Sequence, residues 1–407
     1  MIEVGLERLL REPAWRRKVE GRRVGLLVNP TSVDRHLRHA IDLAMEAGWD
    51  VRRLLGPEHG VRGEAQDMEA VEEARDPITG WPCVSLYGRD AASLRPEPSA
   101  LAGIDVLVID LQDIGARYYT YAATAAWCAE VCGQLGIDVL VCDRPAPLGG
   151  EVVEGNLVLE GYRSFVGAYP IATRHGMTLG ELMLYFERHC GLSCALEVVP
   201  MSGWRRDMWF DRTGQPWVMP SPNMPTLDTA AVYPGLCLLE GTNVSEGRGT
   251  TRPFELFGAP WIDGAALAAR MQARELAGCA WRPVSFKPMF QKYAGRLCQG
   301  LQLHVTDRGS FRSLDAALAI LQELLDLWPD ELQWRTEVYE FVGDRLAIDL
   351  LLGDPVVRMA LQEATPVEEI VSMMAVARAP FEERRRRCLL YQDRAIASKS
   401  QGRRRGP

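Results

Sequence analysis

The chain has 407 residues, of which 47% are hydrophobic and 25% charged, so it can bury a large core and form two domains. Its net charge of -8 argues against nucleic acid as the main partner, because binding phosphates requires a basic surface. No run of about 18 apolar residues exists, and the N-terminus MIEVGLERLLREPAWRRKVEGRR lacks the apolar stretch of a signal peptide. We therefore expect a cytoplasmic protein with no membrane partner.

In the first half of the chain, short apolar runs alternate with helical patterns. The patterns predict strands at 23–29, 50–56, 82–88, 104–113 and 137–145, and helices at 35–48 and 121–135. A T-x-x-E capping box at Thr178 and Glu181 predicts a further helix that stops at Gly191, before a strand at 196–200. Apolar strands separated by helices indicate a doubly wound α/β domain, with a mostly parallel sheet covered on both faces.

The second half of the chain begins with an irregular stretch. Residues 203–261 are rich in Trp, Pro, Gly, Asn and Thr and show little periodicity, and so long an irregular segment is usually functional. A helix at 264–277, strands near 281–286 and 300–307, and an amphipathic helix at 313–328 then predict a smaller α+β domain. The basic, small-residue-rich end, residues 396–407, is predicted to be disordered.

The cysteines fit a reduced protein. Ten are present, and most, such as Cys142, lie within apolar helix and strand patterns, where a thiol acts as a small hydrophobic side chain. The pairs Cys128/Cys132 and Cys190/Cys194 have metal-ligand spacing, but neither has a His or a second Cys pair close by. We therefore prefer the structural interpretation.

Polar residues follow four of the predicted strands, at 29–32, 56–60, 110–113 and 143–145. In open parallel sheets, ligands bind outside the carboxyl ends of the strands, because loops and helix N-termini converge there. All four clusters fall on that edge of the predicted sheet. The sequence therefore predicts a cleft at this edge.

Several kinds of site are disfavoured by missing motifs. The first strand-to-helix turn, VNPTSVDRH, has no G-x-G-x-x-G, and the chain has no P-loop, G-x-S-x-G or H-E-x-x-H motif. We therefore expect neither a nucleotide cofactor nor a metal. His36 and His39, three residues apart on a predicted helix, are interpreted as a solvated face rather than zinc ligands. A His-Asp site assembled from His59, Asp110 and Asp113 stays open as an alternative.

Carboxylates beside hydrogen-bonding and aromatic residues point to a glycosidase, which needs two acidic groups, one of them a proton donor to the leaving oxygen. Sugar rings also need flat apolar surfaces. Aromatic side chains in or near these loops are Tyr118, Tyr119, Tyr121, Trp204, Trp209, Trp217 and Trp261. For any one of them, an anchor in the core or a loop is the simpler interpretation.

A series of motifs gives a more specific indication. In chain order they are GPEHGVRGE, DLQDIGARYYTY, DRPAPLGG, SFVGAYPIATRHGMTLGEL, PWVMPSPNMPT and YPGLCLLEGTNVSEGRGTTRPFELFGAPW. Together they resemble the ordered motifs of the NamZ-like exo-β-N-acetylmuramidases. The resemblance implies a Rossmann-like N-terminal domain, which we place at 1–225, a smaller C-terminal domain at 226–395, and an active site between them. It implies removal of N-acetylmuramic acid from the non-reducing end of peptidoglycan fragments without a cofactor.

The resemblance also implies roles for individual residues. Glu58 in GPEHG is the expected catalytic acid/base, although a carboxylate that accepts backbone N–H groups in a tight loop is the structural alternative. Asp110, Asp113 and Glu246 of SEGRGT are candidates for the second carboxylate. The 2-acetamido group of the substrate could itself attack the anomeric carbon, leaving that carboxylate to orient it.

The candidate binding residues share polar side chains within these motifs. They are His59, Arg62, Gln112, Asp113, Arg117, Tyr119, Arg144, Asn223, Asn243 and Arg248. At least one arginine should grip the lactyl carboxylate of muramic acid in a bidentate fork. For Arg117 and Arg144, an internal salt bridge with Asp113 or Asp143 is nearly as well supported.

The lack of an export signal suggests either action inside the cell on imported wall fragments, muramic-acid saccharides or muropeptides, or a sequence whose start was trimmed. Two alternatives to a hydrolase function stay open. One is a non-catalytic protein that binds such wall fragments on the same scaffold. The other is a Rossmann enzyme with an atypical nucleotide site. The sequence predicts no oligomeric state.

Overall fold

The structure is a computed structural model, and it describes residues 1–58, 60–61, 74–88 and 90–392. Its larger sheet has seven strands in the order β3-β4-β2-β1-β5-β6-β7. These are β1 (Arg23–Val28), β2 (Asp50–Gly56), β3 (Ala74–Arg75), β4 (Pro82–Ser85), β5 (Val106–Asp110), β6 (Asp138–Cys142) and β7 (Ala195–Val199). All neighbouring strands pair in parallel except β3, which pairs antiparallel with β4.

A smaller sheet lies in the C-terminal region and is antiparallel, in the order β8-β10-β9. Its strands are β8 (Leu256–Ala259), β9 (Cys279–Phe286) and β10 (Cys298–Val305). The helices are α1 (Gly5–Arg11), α2 (Pro13–Arg16), α3 (Ala40–Glu46), α4 (Pro98–Leu101), α5 (Tyr121–Leu135), α6 (Leu179–His189), α7 (Leu227–Leu236), α8 (Gly264–Ala273), α9 (Ser313–Leu327), α10 (Ala347–Leu352), α11 (Val356–Gln362) and α12 (Val367–Arg386). The predicted α/β domain with a smaller α+β region is confirmed.

Both faces of the large sheet are covered, as its apolar strands predict. In β5, Val106 and Val108 face a core that also contains α1 and α3, whereas Leu107 and Ile109 face a core with α5 and α6. Successive side chains of a strand point to opposite faces. The near-continuous apolar runs therefore reflect burial on two sides rather than one.

The second of these cores continues into the C-terminal region. It includes residues of α7 to α12 and of the smaller sheet together with α5 and α6. The predicted boundary at 225/226 falls just before α7. The two parts of the chain thus share one continuous apolar core, and the division between them stays a prediction.

Among the predicted elements whose bounds differ in the structure are the helix at 35–48 and the strand at 82–88. The helix predicted at 35–48 begins only at Ala40, because His39 caps it: its Nδ1 accepts a hydrogen bond from the Ile41 amide, and its Nε2 lies 2.9 Å from the Asn29 carbonyl. The interpretation of His36 and His39 as a solvated face of a helix is therefore wrong, since neither residue is helical and His39 is buried. The strand predicted at 82–88 is shorter, at Pro82–Ser85.

The stretch 203–261 is not irregular throughout. It contains α7, a helix buried over most of its length despite Pro234, followed by β8. Apolar residues on every side of α7 remove the periodic pattern that would have revealed it. No helix in the described ranges is long and apolar enough to cross a membrane, and the predicted disordered end, 396–407, lies outside those ranges.

Candidate active site

Glu58 lies two residues beyond β2, at the carboxyl edge of the large sheet. The chain turns sharply there: the Gly60 amide donates to the Pro57 carbonyl at 2.9 Å, and Gly60 has a φ of +82°, which favours glycine. Glu58 is 8% exposed, and its carboxylate accepts a hydrogen bond from the Thr120 hydroxyl at 3.2 Å. The Pro/Gly loop thus delivers this carboxylate to the start of α5.

Glu58 lines a pocket of about 40 Å³ built from both halves of the chain. Hydroxyl groups come from Tyr118, Tyr119, Thr120, Tyr121, Ser221, Tyr233 and Tyr339. Three carboxylates line it, those of Glu58, Glu240 and Glu340, together with Asn223 and Arg248. The pocket therefore combines acidic groups, hydroxyls and aromatic rings where the N-terminal sheet meets the C-terminal region.

A larger cavity, of about 520 Å³, lies beside β2 and β4 around Arg53, Ser85 and Ser93. None of the predicted site residues lines it. Volume alone therefore does not identify the candidate site, whereas the convergence of polar groups with a strand-end carboxylate does.

Tyrosines form one wall of the Glu58 pocket. The rings of Tyr119 and Tyr121 meet edge to face at 4.8 Å, and Tyr233 meets Tyr119 at 6.0 Å. Burial raises the pKa of Tyr121, and the nearby charge of Glu58 adds to the increase. These phenols therefore stay protonated and serve as hydrogen-bond donors and apolar surface.

Glu240 lies within an ion-pair network at the far wall of the pocket. Its Oε1 accepts from Arg248 Nη2 at 2.7 Å, and its Oε2 accepts from the Tyr339 hydroxyl at 2.7 Å. Burial acts to raise the pKa of Glu240, but the positive charges of Arg248 and Lys292 and these hydrogen bonds outweigh it, so the net shift is downward. Glu240 is therefore an ionised carboxylate inside the pocket.

Glu246 lies behind this network. Its Oε2 accepts from Lys292 Nζ at 2.9 Å, and its Oε1 lies 3.4 Å from Arg248 Nε. It is 2% exposed and does not line the pocket. Glu246, a predicted candidate for the second carboxylate, therefore lies behind the pocket, in contact with Arg248 and Lys292.

Four of the predicted residues meet in the pocket: Glu58, Tyr119, Asn223 and Arg248. Asn223 is 6% exposed, and its Nδ2 has no hydrogen-bond partner among the described residues. A buried amide without a partner is costly unless something else accepts its protons. Asn223 therefore offers a donor to a ligand in the pocket.

Asp110 and Arg144, also at strand ends, form a closed ion pair. Arg144 Nε and Nη2 donate to the two Asp110 oxygens at 2.6 and 2.7 Å, and the side chains are 6% and 1% exposed for Arg144 and Asp110. Neither lines the Glu58 pocket. The internal salt bridge considered for Arg144 thus exists, but its partner is Asp110 rather than Asp113 or Asp143.

Arg117 is held by the backbone instead of a carboxylate. It donates to the carbonyls of Asn156, Ile171 and Leu351 at 2.8, 3.0 and 2.7 Å, and burial lowers its pKa to about 10. The Gln112 side chain is also held by the backbone, since its Nε2 donates to two backbone carbonyls. Both side chains stabilise loops around the site and lie outside the pocket lining.

Asp113 faces an imidazole that the sequence did not single out. His175 Nε2 lies 3.3 Å from Asp113 Oδ1, and His175 Nδ1 accepts a hydrogen bond from the Met177 amide. This pattern assigns the imidazole proton to Nε2, facing the carboxylate. The pair is buried and does not line the pocket, and His59, the histidine of the open His-Asp alternative, lies outside the described residues.

The remaining predicted binding residues divide into two groups. Asn243 bonds the backbone of Glu331 and Gln333 with its amide and lines a different cavity. His59 and Arg62 lie outside the described residues. Within those residues, no group of three or more His, Cys, Asp or Glu side chains is arranged to hold a metal ion.

Glu240 and Glu340 are the pocket carboxylates that the sequence did not reveal. Glu240 lies in LCLLEGTNV, part of one of the quoted motifs, so the motif carried a signal. No motif in the sequence indicated Glu340. Its backbone has a φ of +47°, next to Phe341 with a φ of +67°, and its Oε2 accepts a hydrogen bond from the Tyr87 hydroxyl at 3.2 Å. Left-handed backbone at two bulky residues is costly and typical of functional sites.

Comparison with known proteins agrees along nearly the whole chain. The profile described as "Exo-beta-N-acetylmuramidase NamZ, N-terminal" matches residues 24–228, and its C-terminal counterpart matches residues 231–391. The chain is 40% identical over 392 residues to "Peptidoglycan beta-N-acetylmuramidase NamZ" of Bacillus subtilis (strain 168), covering 96% of this chain and 91% of the relative.

Two crystal structures of DUF1343 family proteins from Bacteroides fragilis NCTC 9343 share the fold. One superposes with a TM-score of 0.85 at 34% identity, covering 96% of this chain and 99% of that one. The other has a TM-score of 0.74 at 26% identity, covering 97% and 99%. The arrangement of the two sheets is therefore shared with experimentally determined structures.

Proposed function

The chain belongs to the family of the exo-β-N-acetylmuramidases called NamZ, and from that premise we propose that it removes N-acetylmuramic acid from the non-reducing end of peptidoglycan fragments, with Glu58 as the acid/base. The observation that carries the proposal is the position of Glu58. It reaches a pocket lined by hydroxyls, aromatic rings and a second, ionised carboxylate. This is the chemistry that glycoside hydrolysis requires.

Glu58 is suited to proton transfer. A hydrolase must protonate the leaving oxygen as the glycosidic bond breaks, and a carboxyl group at the pocket wall can do so. Glu58 is mostly buried, and the neutral Thr120 hydroxyl contacts its Oε2.

We propose Glu240 rather than Asp110 or Glu246 as the second carboxylate. It lines the same pocket as Glu58, whereas those two side chains do not. Its negative charge would stabilise the positive charge that develops on the sugar ring. Because Arg248 and Tyr339 occupy its two oxygens, Glu240 is better suited to electrostatic stabilisation or to orienting the acetamido group than to nucleophilic attack.

Polar groups for recognising the sugar surround these acids. The Asn223 amide is a donor for the acetamido oxygen or a ring hydroxyl, and the tyrosine wall offers an apolar surface. Of the three predicted arginines that the structure describes, Arg248 lines the pocket, whereas Arg117 and Arg144 do not. Arg248 is therefore our candidate for the lactyl carboxylate.

The test is hydrolysis of 4-nitrophenyl β-N-acetylmuramic acid and of a disaccharide of N-acetylmuramic acid and N-acetylglucosamine. The wild-type protein should release nitrophenol and muramic acid, respectively. Glu58→Gln should lose release of muramic acid from the disaccharide while keeping its circular dichroism spectrum and melting temperature. Glu46→Gln, at an exposed surface carboxylate, is the matched control.

Failure of the wild-type protein to hydrolyse either substrate between pH 5 and 8 would contradict the proposal. Saturable binding of the disaccharide without turnover would then identify a non-catalytic binding protein for wall fragments. Turnover that survives Glu58→Gln would keep the activity but remove Glu58 from its role.

A further inference from the structure

Lysine is rare in this chain, and one of the lysines is mostly buried. Four are present, at positions 18, 287, 292 and 399, among 46 Lys and Arg residues. Lys292 Nζ donates to the Leu239 and Val244 carbonyls at 2.9 and 3.0 Å. It also donates to Glu246 Oε2 at 2.9 Å. An ammonium group has three N–H donors, so these acceptors use all of them. Lys292 therefore closes the segment that carries Glu240.

The loop around Lys292 has a strained backbone. Its neighbours Gln291 and Tyr293 have φ values of +66° and +59°, which cost free energy in residues other than glycine. The Met289 amide of the same loop donates to the Gly249 carbonyl at 2.9 Å. A Cβ atom on Gly249 would lie 2.9 Å from the Met289 nitrogen, so the two backbones are in close contact. The loop is therefore fixed to the backbone beside the ion-pair network.

Four charged groups of this network form a chain of alternating sign. Lys292 bonds Glu246, and Glu246 Oε1 lies 3.4 Å from Arg248 Nε. Arg248 Nη2 in turn donates to Glu240 Oε1 at 2.7 Å. Arg248 is thus shared between two carboxylates, of which Glu240 lines the Glu58 pocket and Glu246 does not. Lys292 also lies outside the pocket lining, at the far end of the chain.

We propose that Lys292 is a positioning residue for the reaction: by neutralising Glu246, it leaves Arg248 directed at Glu240 and at the substrate. The inference rests on the proposed function and deepens it. In the intact network, two cations balance two carboxylates. Without Lys292, Glu246 keeps a buried negative charge that attracts Arg248 more strongly. The guanidinium then turns away from Glu240, and the pocket loses the cation that we assign to the lactyl carboxylate.

A simpler role for Lys292 is that of a backbone anchor, through its bonds to the Leu239 and Val244 carbonyls. The two roles differ in what Glu246 does once the lysine is gone. For a positioning residue, the charge of Glu246 becomes harmful, because it competes for Arg248. For an anchor, the remaining contacts of Glu246 still help to hold the segment, so losing them adds to the damage.

The experiment is a double-variant cycle in the full-length protein. Lys292→Met should lower kcat/KM for the disaccharide by about tenfold, as expected for coupled members of one ion-pair network. Lys292→Met combined with Glu246→Gln also removes the competing charge, so the double variant should regain most of that loss. Lys287→Met, at an exposed lysine near the same loop, is the matched control and should keep wild-type activity.

A double variant no more active than Lys292→Met would overturn the proposal, as would full activity of Lys292→Met. If Lys292→Met does not fold, Lys292→Gln serves in the same cycle, because its amide can still donate to the backbone carbonyls.

Calorimetric titration with N-acetylmuramic acid adds a test that needs no turnover. Lys292→Met should bind the sugar more weakly than wild type, and the double variant should regain binding. Equal binding by wild type and Lys292→Met would contradict the role of Lys292. A wild-type protein that hydrolyses neither substrate contradicts the proposed function itself, whereas the titration still decides whether Lys292 positions Arg248.

Discussion

Two strand ends at the same edge of the sheet carry carboxylates with different surroundings. Glu58, beyond β2, lines a pocket and accepts a hydrogen bond from a neutral hydroxyl. Asp110, at the end of β5, is 1% exposed and gripped on both oxygens by Arg144. In the sequence both lie at the predicted polar edge of the sheet, and the family resemblance made both candidates for catalysis.

The difference teaches that position at a strand end does not by itself make an acid catalytic. A carboxylate held by a bidentate arginine in the interior has both oxygens already occupied by hydrogen bonds, so a substrate cannot reach them. One that lines a pocket can meet a substrate. The neighbours that distinguish the two, Thr120 at the start of α5 and Arg144 beyond β6, come from other segments of the chain, so only the tertiary structure shows them.

The largest expected effect is that of Glu58→Gln. We expect kcat for the disaccharide to fall by about 10²- to 10⁴-fold. The loss with 4-nitrophenyl N-acetylmuramic acid should be smaller, because nitrophenolate leaves without needing a proton. Steady-state rates on both substrates check this, and equal losses would mean that Glu58 does not act as the proton donor.

The next effect, on stability, concerns Asp110. Asp110→Asn leaves the buried Arg144 without its counter-charge, so the free energy of unfolding should fall by about 3–5 kcal/mol. Urea denaturation measures it. The double variant Asp110→Leu with Arg144→Met should be less destabilised, since no charge is left buried. Unchanged stability with a loss of activity like that of Glu58→Gln would instead make Asp110 catalytic.

Glu240 and Glu246 offer a smaller, paired comparison. Glu240→Gln keeps the shape of the Glu240 side chain but removes its charge from the pocket, so kcat should fall by about 10²-fold. Glu246→Gln, one layer behind, should cost less activity, because Glu246 acts on the pocket only through Arg248 and Lys292. Steady-state rates of the two variants measure these losses. A larger loss for Glu246→Gln than for Glu240→Gln would make Glu246 the second carboxylate instead of Glu240.

A further effect on stability, one that depends on pH, concerns a third strand-end acid, Asp143, which follows β6. Burial raises its pKa to about 7, even though the Tyr391 and Thr178 hydroxyls contact its Oδ2 at 2.5 and 2.7 Å. Because the folded state holds this proton more tightly than the unfolded state, the contribution of Asp143 to stability falls as pH rises from about 4 to about 7.

Asp143→Asn, which resembles the protonated acid, should remove this contribution. Melting temperatures of wild type and variant across that pH range check it. The variant should become relatively more stable than wild type as pH rises. A difference that does not change with pH would show that Asp143 titrates at the same pH in the folded and unfolded chain.

Much of the fold followed from periodicity. The helix predicted at 121–135 is confirmed as α5, and the capping box at Thr178 does begin α6. By contrast, α7 was missed, because a helix buried on all sides has no polar face to give it a period. Patterns therefore identify elements that contact water on one side and fail for those that do not.

The candidate site was predictable in part. Glu58 was placed correctly at the sheet edge, because parallel strands bring their carboxyl ends together. The partner of Arg144 was not predictable, since Asp110, Asp113 and Asp143 all lie at strand ends. Choosing among them depends on which strands are neighbours and on side-chain direction.

The sequence by itself determined the parallel sheet, its polar edge and the family motifs, because these depend on residues close together along the chain. The tertiary structure decided which acids share a pocket. Glu58 and Glu240 line one pocket although 182 positions separate them along the chain. Such contacts arise when separated segments pack into one core. The loop GPEHG therefore identified the first catalytic candidate, and the fold supplied its partners.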